Sequence, residues 1–161
     1  MTTAKLTTRP YQASDFDACL ALFDSNVPRF FSPEERTDFA EFLRDPTCPY
    51  QVVMSGGAIV GCGGIMIDAP RRKAGLAWGM VDHTRHNQGI GRALTLARIE
   101  AAIASGQVDR IELSTSQHTA GFYERLGFGT VRIIPDGFGP DLHRYDMVKT
   151  MGPAQQKGPT G

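Results

Sequence analysis

The stretch His86-Asn87-Gln88-Gly89-Ile90-Gly91-Arg92-Ala93-Leu94 decides how this chain is read. It follows an extended run, Ala74 to Asp82, and from Gly89 onward the apolar period changes, with Ile90, Leu94, Ala97 and Ala101 at helical spacing. A strand that passes through Gly-x-Gly straight into a helix gathers unpaired backbone N–H groups at one point, beside the positive end of the helix dipole. Such a point binds phosphate. Glycine at 89 and 91 allows close backbone approach and dihedrals that a side chain would block.

Three phosphate loops begin this way, and spacing separates them. A Walker loop needs Gly-x-x-x-x-Gly-Lys-Ser/Thr, a run this sequence lacks. A dinucleotide fold needs a third glycine three residues after Gly91, where Leu94 stands, and its strand opens a parallel sheet instead of lying in mid-chain. Glu112 lies about the right distance on to bind a ribose, which keeps this second reading open. The third reading depends on the rest of the chain.

Outward from the loop, Lys5 to Pro10 reads as an opening strand. Ser14 followed by Asp17 resembles a capping box for a helix with Phe16, Leu20 and Phe23 on one side, ending before Pro28. Ser32, Pro33 and Glu35 start a second helix whose buried face carries Phe39, Phe42 and Leu43. Tyr50 to Met54 and Ala58 to Ile67 flank Ser55-Gly56-Gly57 and predict an antiparallel hairpin. Arg110 to Ser116 is strand-like, and His118 to Leu126 is a short helix stopped by Gly127. Phe128 to Ile134 and Leu142 to Val148 form a final pair of strands. The sum is a mixed sheet with helices on both faces.

A second motif selects among the loop readings. Ser116-Gln117-His118-Thr119-Ala120-Gly121-Phe122-Tyr123-Glu124-Arg125-Leu126-Gly127-Phe128 is similar to the later signature of the GNAT acetyltransferase superfamily, in which a polar residue stands seven before a Tyr followed by an acidic residue and then Gly-Phe. Ser116 takes the place usually given to Asn, and Thr119 one usually given to Ala. The glycine loop resembles that superfamily's Arg/Gln-x-x-Gly-x-Gly/Ala, with His86 standing where Arg or Gln is usual. The resemblance runs over roughly residues 5 to 149. It implies a mixed α/β (α+β) GNAT-like fold, a mostly antiparallel sheet of about seven strands with the fourth and fifth splayed into a cleft, and helices on both faces.

For function, the resemblance implies an N-acetyltransferase using acetyl-CoA as cosubstrate. The pyrophosphate of coenzyme A would sit on His86, Asn87, Gln88, Gly89, Ile90, Gly91 and Arg92, and the pantetheine arm would pair with main-chain groups of Met80 and Val81 as an added strand. Ser116 and Phe122 complete the cofactor-binding set. Tyr123 is the expected catalytic acid: a tyrosine hydroxyl, with a reference pKa near 10, is matched to protonate a departing thiolate, and this one points about 100° from the apolar pair Phe122 and Leu126. The acceptor amine must lose a proton, yet Ala74-Gly75-Leu76-Ala77-Trp78 carries no acid where many members have one. Asp68, Asp82 and Glu112 are the remaining candidates for the base. Phe30, Phe31 and Phe138 fall in segments that wall the acceptor site in this superfamily, and buried packing explains them equally well.

Composition narrows the classes further. At 161 residues the chain suits one acetyltransferase domain over residues 1–149, with 150–161, poor in large apolar residues, as a disordered tail. Lys plus Arg equal Asp plus Glu at 17 each, which argues against a nucleic-acid partner. No run of about 18 apolar residues and no signal-like leader is present, which predicts no membrane partner and a cytoplasmic location. Cys19, Cys48 and Cys62 match no disulfide or metal spacing and read as reduced. His83, His86, His118 and His143 lack ligand spacing, so no metal is expected. Arg71-Arg72-Lys73 reads as a solvated turn. A homodimer is compatible with the resemblance, and the alternative function is a catalytically inactive CoA-binding or dimerisation module of the same fold.

Overall fold

Val52 and Val53 are neighbours in one strand and both are fully buried, so that strand is covered on its two faces. In the computed structural model, which describes residues 5–85 and 88–151, helices supply both covers. Helices α1 (Phe16–Ser25) and α2 (Glu35–Arg44) bring Cys19, Leu22, Phe23, Phe39 and Leu43 onto the face of Val52, together with Tyr50 and Cys62. Helix α3 (Ile90–Ser105) brings Ile90 and Leu94 onto Val53 and Val60 on the other face. The Phe23 ring stacks on Phe31 at 4.9 Å and on Phe39 at 5.5 Å. The fully buried pair, Phe23 and Phe39, contributes about 1.5–3 kcal/mol for each ring.

The strands are β1 (Leu6–Pro10), β2 (Tyr50–Ser55), β3 (Ala58–Asp68), β4 (Lys73–Val81), β5 (Arg110–Thr115), β6 (Gly129–Gly139) and β7 (Leu142–Thr150), with α4 (Ala120–Arg125) between β5 and β6. They form a seven-stranded sheet in the order β1-β2-β3-β4-β5-β7-β6. The β4–β5 pair is parallel, and the β1–β2, β2–β3, β5–β7 and β6–β7 pairs are antiparallel. This is the mixed, mostly antiparallel arrangement that the resemblance implied. The β2–β3 turn is tight because Gly56 and Gly57 both take left-handed backbone, at φ 57° and 86°.

The described residues fall into two compact units. One holds the chain up to Met66 together with Ala77–Ala101; the other holds Ile67–Leu76 and the chain from Ala102 onward. His86, Asn87 and the segment 152–161 expected as a tail lie outside the described residues.

Two helix starts show how local chemistry redistributes the expected caps. A 3-10 turn over Ala13–Asp15 precedes α1, and the Asp15 carboxylate, not Asp17, closes the cap by accepting the Gln12 N–H at 2.8 Å. Asp15 is also gripped by Arg9, whose two terminal nitrogens each lie 2.8 Å from one of its oxygens, and this fork holds its carboxyl below the ordinary range. At the second start, the Ser32 N–H donates to Glu35 at 3.0 Å as the sequence predicts, while regular α2 begins at Glu35 itself.

In the second unit, Asp146 of β7 accepts hydrogen bonds from Arg144, Ser114 and Arg132, at 2.7, 2.7 and 3.0 Å. These donors, Arg144 foremost, pull its pKa down to about 2.

Two outcomes follow from this packing. A Cβ at Gly64 would stand 2.6 Å from the Pro49 carbonyl oxygen and 2.7 Å from Tyr50 Cδ1, so Gly64→Ala should destabilise by about 1–3 kcal/mol in a denaturant melt. Gly129→Ala, whose Cβ would meet nothing within 4 Å, serves as the contrast. Because the folded pKa of Asp146 lies below its unfolded value, its contribution is present above about pH 4 and fades as pH falls toward 2. An Asp146→Asn variant should therefore melt below the parent at pH 7, and the gap should narrow as acid is added.

Candidate active site

At the start of α3, Gly89 takes a left-handed backbone, φ +75°, and a Cβ there would meet no described atom within 4 Å. Among the described residues, nothing covers the side of the turn where a side chain at 89 would stand. Ile90 behind it is 4% exposed and is wedged against Gly61, where a Cβ would come within 3.0 Å of Ile90 Cγ2. The Gly89 carbonyl accepts the Ala93 N–H at 2.9 Å, so the amides of the first turn precede any intrahelical acceptor. Gln88, Gly89 and Arg92 are exposed and Gly91 is half-buried. Of the expected phosphate-binding set, His86 and Asn87 lie outside the described residues.

Upstream of that turn, Met80 is buried and Val81 is half-buried. The Val81 carbonyl already accepts Asn26 Nδ2 at 3.2 Å, and the same amide donates to Leu22 O at 2.8 Å, tying the end of α1 to the end of β4. Two residues earlier Trp78 is left-handed, φ +46°, in the middle of a strand. For a bulky residue that conformation costs about 1–3 kcal/mol and breaks the alternation of peptide directions. The Tyr50 hydroxyl holds the Trp78 carbonyl at 2.7 Å. Beneath the next residue lies the guanidinium of buried Arg98, whose NH1 would be 2.7 Å from a Cβ on Gly79. The sequence places Trp78, with Leu76 and Met80, on an apolar face that is core or tunnel wall, and gives Tyr50 and Arg98 no part in the site. No spacing signal marks a strained strand residue, and Arg98 sits on the predicted helix only as one more long cation.

In the second unit, the parallel register of β4 with β5 runs over Lys73, Ala74 and Gly75 opposite Arg110, Ile111 and Glu112. Ser116, Phe122 and Tyr123 gather around α4. The Ser116 carbonyl accepts the N–H groups of Thr119 and Ala120, at 3.2 and 3.0 Å, and its hydroxyl accepts that of His118 at 3.2 Å, so it shapes the helix start. Tyr123 is half-buried, with its ring edge-on to Phe122 at 5.1 Å and to Phe128 at 5.7 Å. Its hydroxyl makes no hydrogen bond among the described residues.

The model of the acetyltransferase (GNAT) family matches residues 16–128, a span that contains both motifs. The chain belongs to the GNAT acetyltransferase family. No curated protein sequence matches it. Solved structures share the GNAT fold at low identity. An aminoglycoside 6'-N-acetyltransferase complexed with coenzyme A is 18% identical with a TM-score of 0.77, over 92% of this chain and 98% of the other. A ribosomal-protein-alanine N-acetyltransferase from Brucella melitensis is 21% identical at 0.71, over 90% and 99%. A spermidine N-acetyltransferase chimera from Vibrio cholerae is 15% identical at 0.71, over 91% and 96%.

Within this GNAT chain the three carboxylates considered as bases are all engaged. Asp82 accepts from the Thr84 hydroxyl and N–H, at 2.6 and 3.0 Å, and from Arg85 at 3.3 Å. Glu112 is bracketed by Arg110 at 2.7 Å and Lys73 at 3.2 Å, and Asp68 is paired with Arg71 at 3.1 Å. These partners, led by Thr84, Arg110 and Arg71 respectively, lower all three pKa values, away from the near-neutral range that suits a base. Of the aromatic residues expected at the acceptor wall, Phe31 is half-buried on Phe23. Phe30 is exposed, stacked on His83 at 4.6 Å with the Arg29 guanidinium 5.2 Å from its ring, and Phe138 is exposed on β6. Among the described residues no cluster of His, Cys, Asp or Glu is arranged to hold a metal, and no helix is long and apolar enough to cross a membrane.

Proposed function

We propose that this protein transfers an acetyl group from acetyl-CoA to a primary amine, on a small molecule or an exposed protein or peptide, by direct attack in a ternary complex. The observation that carries the reading is the open left-handed turn at Gly89 heading α3, in a chain of the GNAT family. Free amides at a helix N-terminus suit a diphosphate, and an unblocked glycine lets it approach. His86, Asn87, Gln88, Gly89, Ile90, Gly91 and Arg92 form that cradle. Met80 and Val81 offer main-chain groups to the pantetheine arm, with Ser116 and Phe122 completing the cosubstrate site. Residues 1–149 act as one acetyltransferase domain, which works in the cytoplasm and is compatible with a homodimer.

The attacking amine, with a pKa near 10.4, is neutral only about once in a thousand molecules at pH 7, so its proton leaves before or during attack. The nitrogen lone pair forms the new bond to the thioester carbon, the carbon–sulfur bond breaks, and Tyr123 gives its hydroxyl proton to the departing sulfur. The half-buried ring of Tyr123, and a hydroxyl with no hydrogen bond among the described residues, are consistent with that role. The paired state of Asp68, Asp82 and Glu112 favours water over these carboxylates as the carrier of the amine proton. Among relatives of this fold, acceptors named as aminoglycoside, spermidine and a protein alanine are all amines, which fits the class without choosing within it.

Release of coenzyme A thiol should be measured with aminoglycoside, polyamine, amino-acid and peptide acceptors. At least one should be turned over, and Tyr123→Phe should lower kcat by about tenfold to a hundredfold with acetyl-CoA affinity retained. Tight acetyl-CoA binding with no acceptor consumed would instead identify an inactive CoA-binding module.

A further inference from the structure

We propose that Tyr50 is a positioning residue for acetyl transfer, its hydroxyl fixing the left-handed turn at Trp78 so that the β4 amides beyond it keep the direction in which they meet the thioester. The inference rests on the acetyltransferase reading above. Tyr50 and Trp78 lie in the same compact unit, and the contact between them is short, 2.7 Å from the phenolic oxygen to the Trp78 carbonyl oxygen. A carbonyl only accepts, so the single phenolic proton is committed to it. Cys62 Sγ lies 3.3 Å from the same phenolic oxygen, a longer and weaker contact than the one to the carbonyl. Cys19 in turn touches Cys62. The Tyr50 hydroxyl thus joins this buried cluster to Trp78, the one residue of β4 with left-handed backbone.

The Tyr50 ring is itself immobilised. It is 4% exposed, with Tyr11 edge-on at 5.8 Å, Phe42 edge-on at 5.0 Å, and Gly64 so close that a Cβ would reach its Cδ1 at 2.7 Å. Burial, above all other causes, raises its pKa well above the usual value, so the phenol keeps its proton across the working range. Trp78 is anchored on the same side by Phe39 at 5.1 Å and Phe31 at 6.1 Å, while Arg98 fills the space beside Gly79. Both flanks of the left-handed turn at Trp78 are therefore packed. The hydrogen bond selects which way its peptide faces, and losing it lets residue 78 relax toward extended backbone and turn the amides of Gly79 and Met80.

Trp78 is the only tryptophan in the chain, so its fluorescence reports on the left-handed turn itself. The experiment compares Tyr50→Phe with Tyr11→Phe, which removes a similar hydroxyl bond, to the Leu43 carbonyl at 3.1 Å, from the same cluster without touching β4. Tyr50→Phe should shift Trp78 emission, keep coenzyme A affinity within about twofold, lose the preference for acetyl-CoA over coenzyme A, and lower kcat about tenfold or more. Tyr11→Phe should change melting temperature alone. The inference is overturned if Tyr50→Phe keeps the parent's kcat and acetyl-CoA preference, or if both variants lose activity in proportion to lost stability. A parent that binds neither acetyl-CoA nor coenzyme A would instead remove the acetyltransferase reading, and this role with it. Should Tyr50→Phe not fold, a crystal structure of the parent with acetyl-CoA decides: Trp78 left-handed with its carbonyl within about 3 Å of Tyr50 supports the role, and an extended Trp78 refutes it.

Discussion

An amide can hold an anion only where nothing stands over it, and at Gly89, left-handed at the head of α3, a Cβ would meet no described atom within 4 Å. Any other residue there would pay steric strain and place a Cβ in the approach path. The turn also needs a fixed base, and Ile90 provides it: the side chain after the glycine is buried against Gly61, Val53 and Val60, so the helix start is nailed to β2 and β3. Burial of one apolar side chain thus positions a polar site made wholly of backbone.

A second constraint acts on β4. The strand pairs with β5 at Lys73 to Gly75 and continues through Trp78, where a large residue occupies backbone space that normally belongs to glycine. Strain of this kind persists only when the surroundings over-determine it. Here the surroundings are specific: the Tyr50 hydroxyl on the carbonyl, two phenylalanines on the indole, and the Arg98 guanidinium beside Gly79. The glycines at 63 and 79 make room for that guanidinium, since a Cβ on either would stand within 3.1 Å or less of it.

The element order was legible because period and punctuation act locally. Gly56-Gly57 marked the hairpin, the shift to helical spacing marked α3, and Gly127, left-handed at φ 97°, marked the end of α4. Errors arose where two residues could do the same local job. Asp15 took the capping role assigned to Ser14 and Asp17 because Arg9, from the neighbouring strand, fixes its carboxylate, a contact no short window contains. Ser116 stood out by its place in a motif, but its bonds to His118, Thr119 and Ala120 show a turn-forming part as well. The Tyr50 to Trp78 bond spans 28 positions and joins two residues that each read as ordinary core aromatics. Only tertiary structure reveals that one of them is strained and the other holds it.

The central claim is that the amides from Gly89 to Arg92 receive the diphosphate of coenzyme A. An amide NMR titration measures this directly, with coenzyme A and with pantetheine, which lacks the diphosphate, as the two ligands. The account predicts that coenzyme A moves the resonances of Gly89, Ile90, Gly91 and Arg92 most, and that pantetheine leaves them in place. Equal responses to the two ligands, or shifts confined to other residues, would contradict it.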